Sequence, residues 1–182
     1  MTVGEGTVAS SEIDVELSDP STTVSIGKYT AIGRNLKLIC SSGHDPSRVC
    51  NVNLYDAQED PIPRSSVRSL GPISIGHDVW IGDDVTIMGG TSIGNGAVVG
   101  TKSLVTSSLE PYGIYGGVPV RLIRFRFSPE IRTELERLAW WDLPPAVLRE
   151  LRGQLMVAEA EEAIRILQRA KLRSASGRVS PS

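Results

Sequence analysis

The chain has 182 residues, 40% of them hydrophobic but only 5% aromatic, which allows one domain with an aliphatic core plus appendages. A formal net charge of -2 without a basic block gives no footprint for nucleic acid, and no run approaches the roughly 20 apolar residues of a membrane span. The start, "MTVGEGTVAS", has neither a basic segment nor an apolar leader, so a cytoplasmic location is expected.

In chain order, "GTVASSEIDVEL" is a degenerate first turn of a pattern that becomes clear in "TTVSIGKYTAIGRNLKLIC". There Val24, Ile26, Ile32 and Leu38 keep a six-residue phase, with Gly27 and Gly33 directly after aliphatics. The phase stops after Leu38. Residues 41–72 are polar and punctuated by proline, and they read as an excursion of the long kind that usually carries function. Cys40 and Cys50 are too few for a disulfide framework or a zinc knuckle and are expected to be reduced thiols.

From Ile73 to Val105 the pattern is strict. Ile75, Ile81, Ile87, Ile93, Val99 and Val105 recur every six residues, a spacing that no helix period produces. Two places earlier stand Ile73, Val79, Val85, Thr91, Ala97 and Ser103, β-branched or small, so each unit is a short strand with alternating faces. Gly76, Gly82, Gly94 and Gly100 follow the aliphatics, and Asp78, Asp83, Asp84, Gly89, Gly90, Asn95 and Gly96 crowd the corners. Positive φ is expected among them.

In "GGVPVRLIRFRF", alternation sets Ile123, Phe125 and Phe127 on one face and Arg124 and Arg126 on the other. Ser128 and Pro129 then form an N-cap with proline at the first helical position. Ile131, Leu135, Leu138 and Ala139 make the apolar stripe of that helix, which "WWDLPP" closes. Pro145 opens a second helical pattern, weakened at Gly153, and "RSASGRVSPS" lacks the apolar content to order itself.

The residues alone predict an all-β solenoid, since short strands stacked coil on coil stabilise each other as neighbours and need covered ends. Residues 1–127 form the coiled domain, 128–172 a helical cap and 173–182 a tail. The hexapeptides resemble those of left-handed parallel β-helices, a likeness covering most of residues 20–142. The left hand is implied by that likeness, because parallel crossovers ordinarily prefer the right.

Four segments together resemble the hexapeptide acyltransferases, in particular the xenobiotic acetyltransferase branch that includes streptogramin and chloramphenicol acetyltransferases. They are "VSIGKYTAIG", the "GH" opening the excursion, "IGHDVWIGDDVTIM", and "GGVPVRLI" followed by "RF", a helix and "WWD". The resemblance implies direct transfer from acetyl-CoA to an acceptor hydroxyl in a homotrimer, with sites shared between neighbouring chains. His44 takes the place of the general base, and an imidazole of ordinary pKa near 6.5 suits that task at neutral pH. Trp80 matches an indole beside the acyl end of the donor, although a contact between subunits is an equally good use of it. Thr101 and Thr106 match backbone contacts to the CoA arm, and Arg121 and Arg124 match phosphate partners, with Lys102 and Arg126 as further candidates. His77 is expected to be a corner residue facing water.

Where antibiotic-modifying relatives carry a Ser-Thr-Tyr-Pro-Phe type stretch, this chain reads "VCNVNLYDAQEDP", and only Tyr55 matches. Asn51, Asn53, Asp56, Glu59 and Asp60 suit a hydroxyl-rich acceptor, so a carbohydrate is favoured over an antibiotic. A zinc hydratase on such a coil needs three histidines per site, and the chain has two, so no metal is expected. A Cys50 nucleophile and a non-catalytic scaffold are the remaining alternatives.

Overall fold

Each six-residue unit yields one short strand and one corner, and as far as Val105 successive strands enter three sheets in rotation with parallel pairing. The computed structural model describes residues 1–17, 19–41, 49 and 69–175. Two compact units emerge, Met1–Arg124 and Phe125–Ser182. In the first unit, one sheet stacks β1 (Thr2–Val3), β4 (Val24–Ile26), β7 (Ile73–Ile75) and β10 (Ser92–Ile93). The second stacks β2 (Val8–Ala9), β5 (Ala31–Ile32), β8 (Trp80–Ile81), β11 (Val98–Val99), β13 (Gly113–Gly116) and β14 (Arg121–Phe125). The third stacks β3 (Asp14–Glu16), β6 (Lys37–Ile39), β9 (Thr86–Met88) and β12 (Leu104–Val105).

Strand pairing gives the length of each turn. Ser74 pairs with Ser92, Trp80 with Val98 and Thr86 with Leu104, all 18 positions apart. Between the two preceding coils the offset is 49, as in Ala31 with Trp80, so 31 residues beyond one turn are spliced in between β6 and β7. That is the expected excursion. The first coil pairs at an offset of 23, as in Val8 with Ala31, and its five extra residues fall between β3 and β4. The degenerate first turn is thus a paired coil, its strands running from Thr2 onward.

The recurring aliphatics point inward and stack. Ile26, Ile75 and Ile93 form one column, Ile32, Ile81 and Val99 a second, and Leu38, Ile87 and Val105 a third, all buried in a single cluster. Burial of such side chains is worth about 1.5–3 kcal/mol each. The corners differ from expectation in one respect. Positive φ falls at Asp78, Asp84, Gly90, Gly96 and Lys102, again every six residues, and not at Gly76, Gly82, Gly94 or Gly100, which directly follow the repeat aliphatics. Gly82 is required for a different reason: a Cβ there would lie 2.6 Å from the backbone nitrogen of Thr101 in the next coil. At Gly90 both causes act, since φ is 76° and a Cβ would lie 2.6 Å from the carbonyl oxygen of Leu70. Gly90→Ala should therefore lower stability by about 1–2 kcal/mol or more, read as a fall in the urea midpoint.

His77 departs from its expected place in water. It is half-buried, and its Nδ1 accepts the backbone N–H of Lys28 at 2.9 Å while its backbone N–H donates to Asn95 Oδ1 at 2.8 Å. It ties three coils together. On strand β14 neither face is buried over Leu122, Ile123 and Arg124, which are all exposed.

In the second unit, α1 (Pro129–Leu138) starts as expected, with Ser128 Oγ accepting the N–H of Ile131 and proline at the first turn. Ala139 ends it in the left-handed conformation, and a 3-10 turn over Trp140–Asp142 follows. The second helical pattern resolves into α2 (Pro145–Leu155) and α3 (Ala160–Ala175); the break comes after Leu155 and not at Gly153, which stays helical. Helix α3 extends into the segment expected to be a tail, and residues 176–182 lie outside the described residues. Leu138, Leu143, Leu151, Ile166, Leu167 and Ala170 form a separate core for the three helices. Glu134 links α1 to α3 by accepting from Gln168 at 2.8 Å; the Arg137 guanidinium beside it, with Gln168, holds its carboxyl down to about 2. No described helix is long and apolar enough to cross a membrane.

Candidate active site

The three sheets differ in what they present outward. Thr2, Ser25, Ser74 and Ser92 line up along the first, and Asp14, Lys37, Thr86 and Leu104 along the third. Along the second runs an apolar row, Val8, Ala31, Trp80, Val98 and Ile114, each paired in register with the next. Trp80 is 61% exposed and Val8 64%. An outward indole in the middle of such a row has no packing duty within its own coil.

Beyond β8 the corner rises through stacked backbone. The Lys102 N–H donates to the Asp83 carbonyl at 2.8 Å, which seats Thr101 and Lys102 over Gly82 and Asp83. Below them Arg34 grips the same aspartate, with Nη2 at 2.7 Å and Nε at 3.2 Å from Oδ2, and holds its carboxyl below the usual range. Thr101, Lys102 and Thr106 are all exposed. One turn further on, the Val120 N–H donates to the Leu104 carbonyl at 2.9 Å, so Arg121 emerges beside the strand that lies between Lys102 and Thr106. Arg121 and Arg124 are exposed on β14. Arg126 lies 4.9 Å from the Phe127 ring centroid, an ordinary surface use. Trp80 on β8, then Thr101, Lys102 and Thr106 on the next coil, then Arg121 and Arg124 on β14 at the edge of the second sheet thus follow one another in that order. Thr106 stands apart from Thr101 and Lys102 by the length of β12, at the next corner.

His44 lies outside the described residues, as do Cys50, Tyr55 and the polar side chains that follow. The base from which their segment departs is described. Ser41 and Ser69 form an antiparallel bridge, and the Leu70 N–H donates to the Cys40 carbonyl at 2.9 Å. Ser41 Oγ donates to Glu16 Oε1 at 3.0 Å, and the hydroxyls of Thr22 and Ser69 meet at 3.1 Å. Gly89 and Gly90 donate to Ile39 and Pro72 across the junction. Cys40 is buried within this base, which pushes its thiol up and makes it a poor nucleophile. The sequence reading passed over Glu16, Thr22, Ser41 and Ser69. Their signal is the coincidence of two insertions at one corner, the five residues between β3 and β4 and the 31 between β6 and β7.

This base occupies the junction from the third sheet to the first. Trp80 is on the second sheet, the one that junction does not border. Within one chain, the root of the His44 segment and the indole thus stand on different sides of the coil.

The family "Bacterial transferase hexapeptide (six repeats)" matches residues 72–107, the span of the strict repeat. A chloramphenicol acetyltransferase of Escherichia coli is 39% identical over 130 residues, covering 69% of this chain and 62% of its own length. The chain thus spans about three-fifths of that relative. A probable macrolide acetyltransferase of Lysinibacillus sphaericus is 37% identical over 123 residues, 64% of this chain and 68% of that protein. The solved structure of the polySia specific acetyltransferase NeuO superposes with a TM-score of 0.51 at 26% identity, over 71% of this chain and 56% of the other. Repeats that stack in register as this family's name requires, and relatives matched well beyond the repeats themselves, lead to one assignment: the chain belongs to the hexapeptide-repeat acyltransferase family.

Proposed function

We propose that this chain is an acetyl-CoA-dependent O-acetyltransferase, a left-handed β-helix working as a homotrimer on a hydroxyl of a carbohydrate-type acceptor. The observation that carries the reading is the ascent from the exposed Trp80 through Thr101 and Lys102 on the next coil to Arg121 and Arg124 on the edge strand β14. An apolar indole at one end suits an acyl group and pantetheine, and guanidinium forks at the other suit phosphates. His44 takes the proton of the acceptor hydroxyl as its oxygen bonds to the thioester carbonyl carbon. The tetrahedral oxyanion then collapses, the C–S bond breaks, and the imidazolium returns the proton to the departing sulfur, leaving an ester and free CoA thiol.

Two features support a shared site. The second sheet exposes an apolar row suited to burial against another copy, and the root of the His44 segment stands on a different side from Trp80. A segment from one chain and the groove of its neighbour complete each other without spanning the coil.

The acceptor is argued from the loop composition: Asn51, Asn53, Asp56, Glu59 and Asp60 offer groups that pair with sugar hydroxyls. The polySia specificity of the structural relative is in keeping with it. An antibiotic acceptor is the second reading, favoured by the 39% identity to a chloramphenicol acetyltransferase. Release of CoA thiol from acetyl-CoA across sugars, oligosaccharides, chloramphenicol and a macrolide separates the two. Turnover confined to glycans is expected; turnover of chloramphenicol alone would reverse the order, and no turnover with any hydroxyl acceptor, together with no CoA binding by calorimetry, would leave a scaffold.

A further inference from the structure

We propose that Glu16 is a positioning residue for the segment that carries His44, an inference that rests on the reading of His44 as general base. Glu16 holds the last two residues before that segment from both ends of its own structure. Its backbone carbonyl accepts the Cys40 N–H at 2.9 Å, and its carboxylate accepts the Ser41 hydroxyl at 3.0 Å. Ser41 is only 5% exposed, so this hydrogen bond is shielded from competing water on one side. The returning arm is secured in parallel. Ser69 bridges to Ser41, pairs its hydroxyl with Thr22 at 3.1 Å and accepts the Gly71 N–H at 3.2 Å.

The first coil is otherwise poorly buried; β1 and β2 expose both their residues. Its length offset of 23 arises from residues inserted beside this base, and Thr22 is one of them. A worn terminal coil that keeps a carboxylate and a hydroxyl on the two arms of one insertion is accounted for by that insertion. His44 is three positions beyond Ser41 in the sequence, a short tether through which loosening at Ser41 would reach the imidazole. Misplacement on the order of 1 Å costs about 10²-fold in rate, so a partial loosening should cost about tenfold.

The full-length protein, Glu16→Ala, Glu16→Gln and His44→Ala are compared in two measurements. Amide exchange at Leu70 and Gly71 should quicken about tenfold in Glu16→Ala and stay near wild type in Glu16→Gln, whose amide oxygen still accepts from Ser41. CoA-thiol release with the best acceptor of the panel should show kcat down about tenfold in Glu16→Ala, KM for acetyl-CoA within about twofold, and recovery in Glu16→Gln. Wild-type exchange at Leu70 and Gly71 in Glu16→Ala overturns the proposal, as does a Glu16→Gln variant as impaired as the alanine. Undiminished turnover by His44→Ala sinks the general-base reading alone and, with it, the catalytic part of this inference, whereas the exchange comparison still decides whether Glu16 anchors the base.

Discussion

His44→Ala is expected to cost about 10²- to 10⁴-fold in kcat for acetyl transfer, with KM for acetyl-CoA little changed, because a neutral hydroxyl attacks a thioester poorly until its proton has somewhere to go. The loss should leave the fold intact. The described hydrogen bonds that seat the base of the segment are made by Glu16, Thr22, Cys40, Ser41, Ser69 and Leu70, all of which the variant keeps. Thermal unfolding should therefore match the wild type. Near-normal turnover in a folded His44→Ala would end the general-base role and return attention to Cys50, whose replacement by serine should otherwise leave activity whole.

Ile87→Ala is expected to lower stability by about 2–5 kcal/mol, a large part of the 5–15 kcal/mol available to a typical domain. Ile87 has no exposed surface and is stacked between Leu38 below and Val105 above. Each coil packs only on its neighbours, so a cavity there weakens two interfaces at once and has few other side chains free to collapse into it. Urea titration followed by circular dichroism gives the number, and a change within about 0.5 kcal/mol would mean that the column is not the structural core.

The strict spacing of Ile75, Ile81, Ile87, Ile93, Val99 and Val105 was enough to read strand, corner and inward face, because a period of six admits one arrangement of alternating faces. The start of the excursion was legible for the same reason: the phase simply stops after Leu38. Less legible was the first coil, where Val3, Val8 and Val15 stand at irregular intervals and only pairing with Ser25, Ala31 and Lys37 and their neighbours reveals the offset of 23. Corner conformation was half legible. Asp78, Asp84 and Gly96 are residue types that tolerate the left-handed region, but Lys102, Tyr29 and Tyr112 adopt it too, under the constraint of the coils beside them. His77 was misread because its partner, the Lys28 N–H, is 49 positions away.

For the site, local pattern sufficed where the chain is periodic. Trp80 faces outward as its spacing from the inward aliphatics requires, although it lies within strand β8 and not on a corner, and Thr101 and Lys102 fall on a corner. Alternation separates the faces of β14 but does not tell that both stay exposed over residues 121–124, because β14 is the edge strand of its sheet. Glu16 and Ser41, 25 positions apart, carry no local signal of their contact, and only the coil geometry brings them together.

Subunit complementation reads directly whether two chains complete the proposed site. A His44→Ala chain and an Arg121→Ala/Arg124→Ala chain, each nearly silent alone at acetyl-CoA well below KM, are co-expressed and the mixed oligomers assayed for CoA-thiol release. Random mixing in a trimer whose sites each join a segment from one chain to the groove of the next should restore about a quarter of wild-type activity. Mixed trimers no more active than the sum of the separate variants, or an active enzyme that sediments as a monomer, would contradict it.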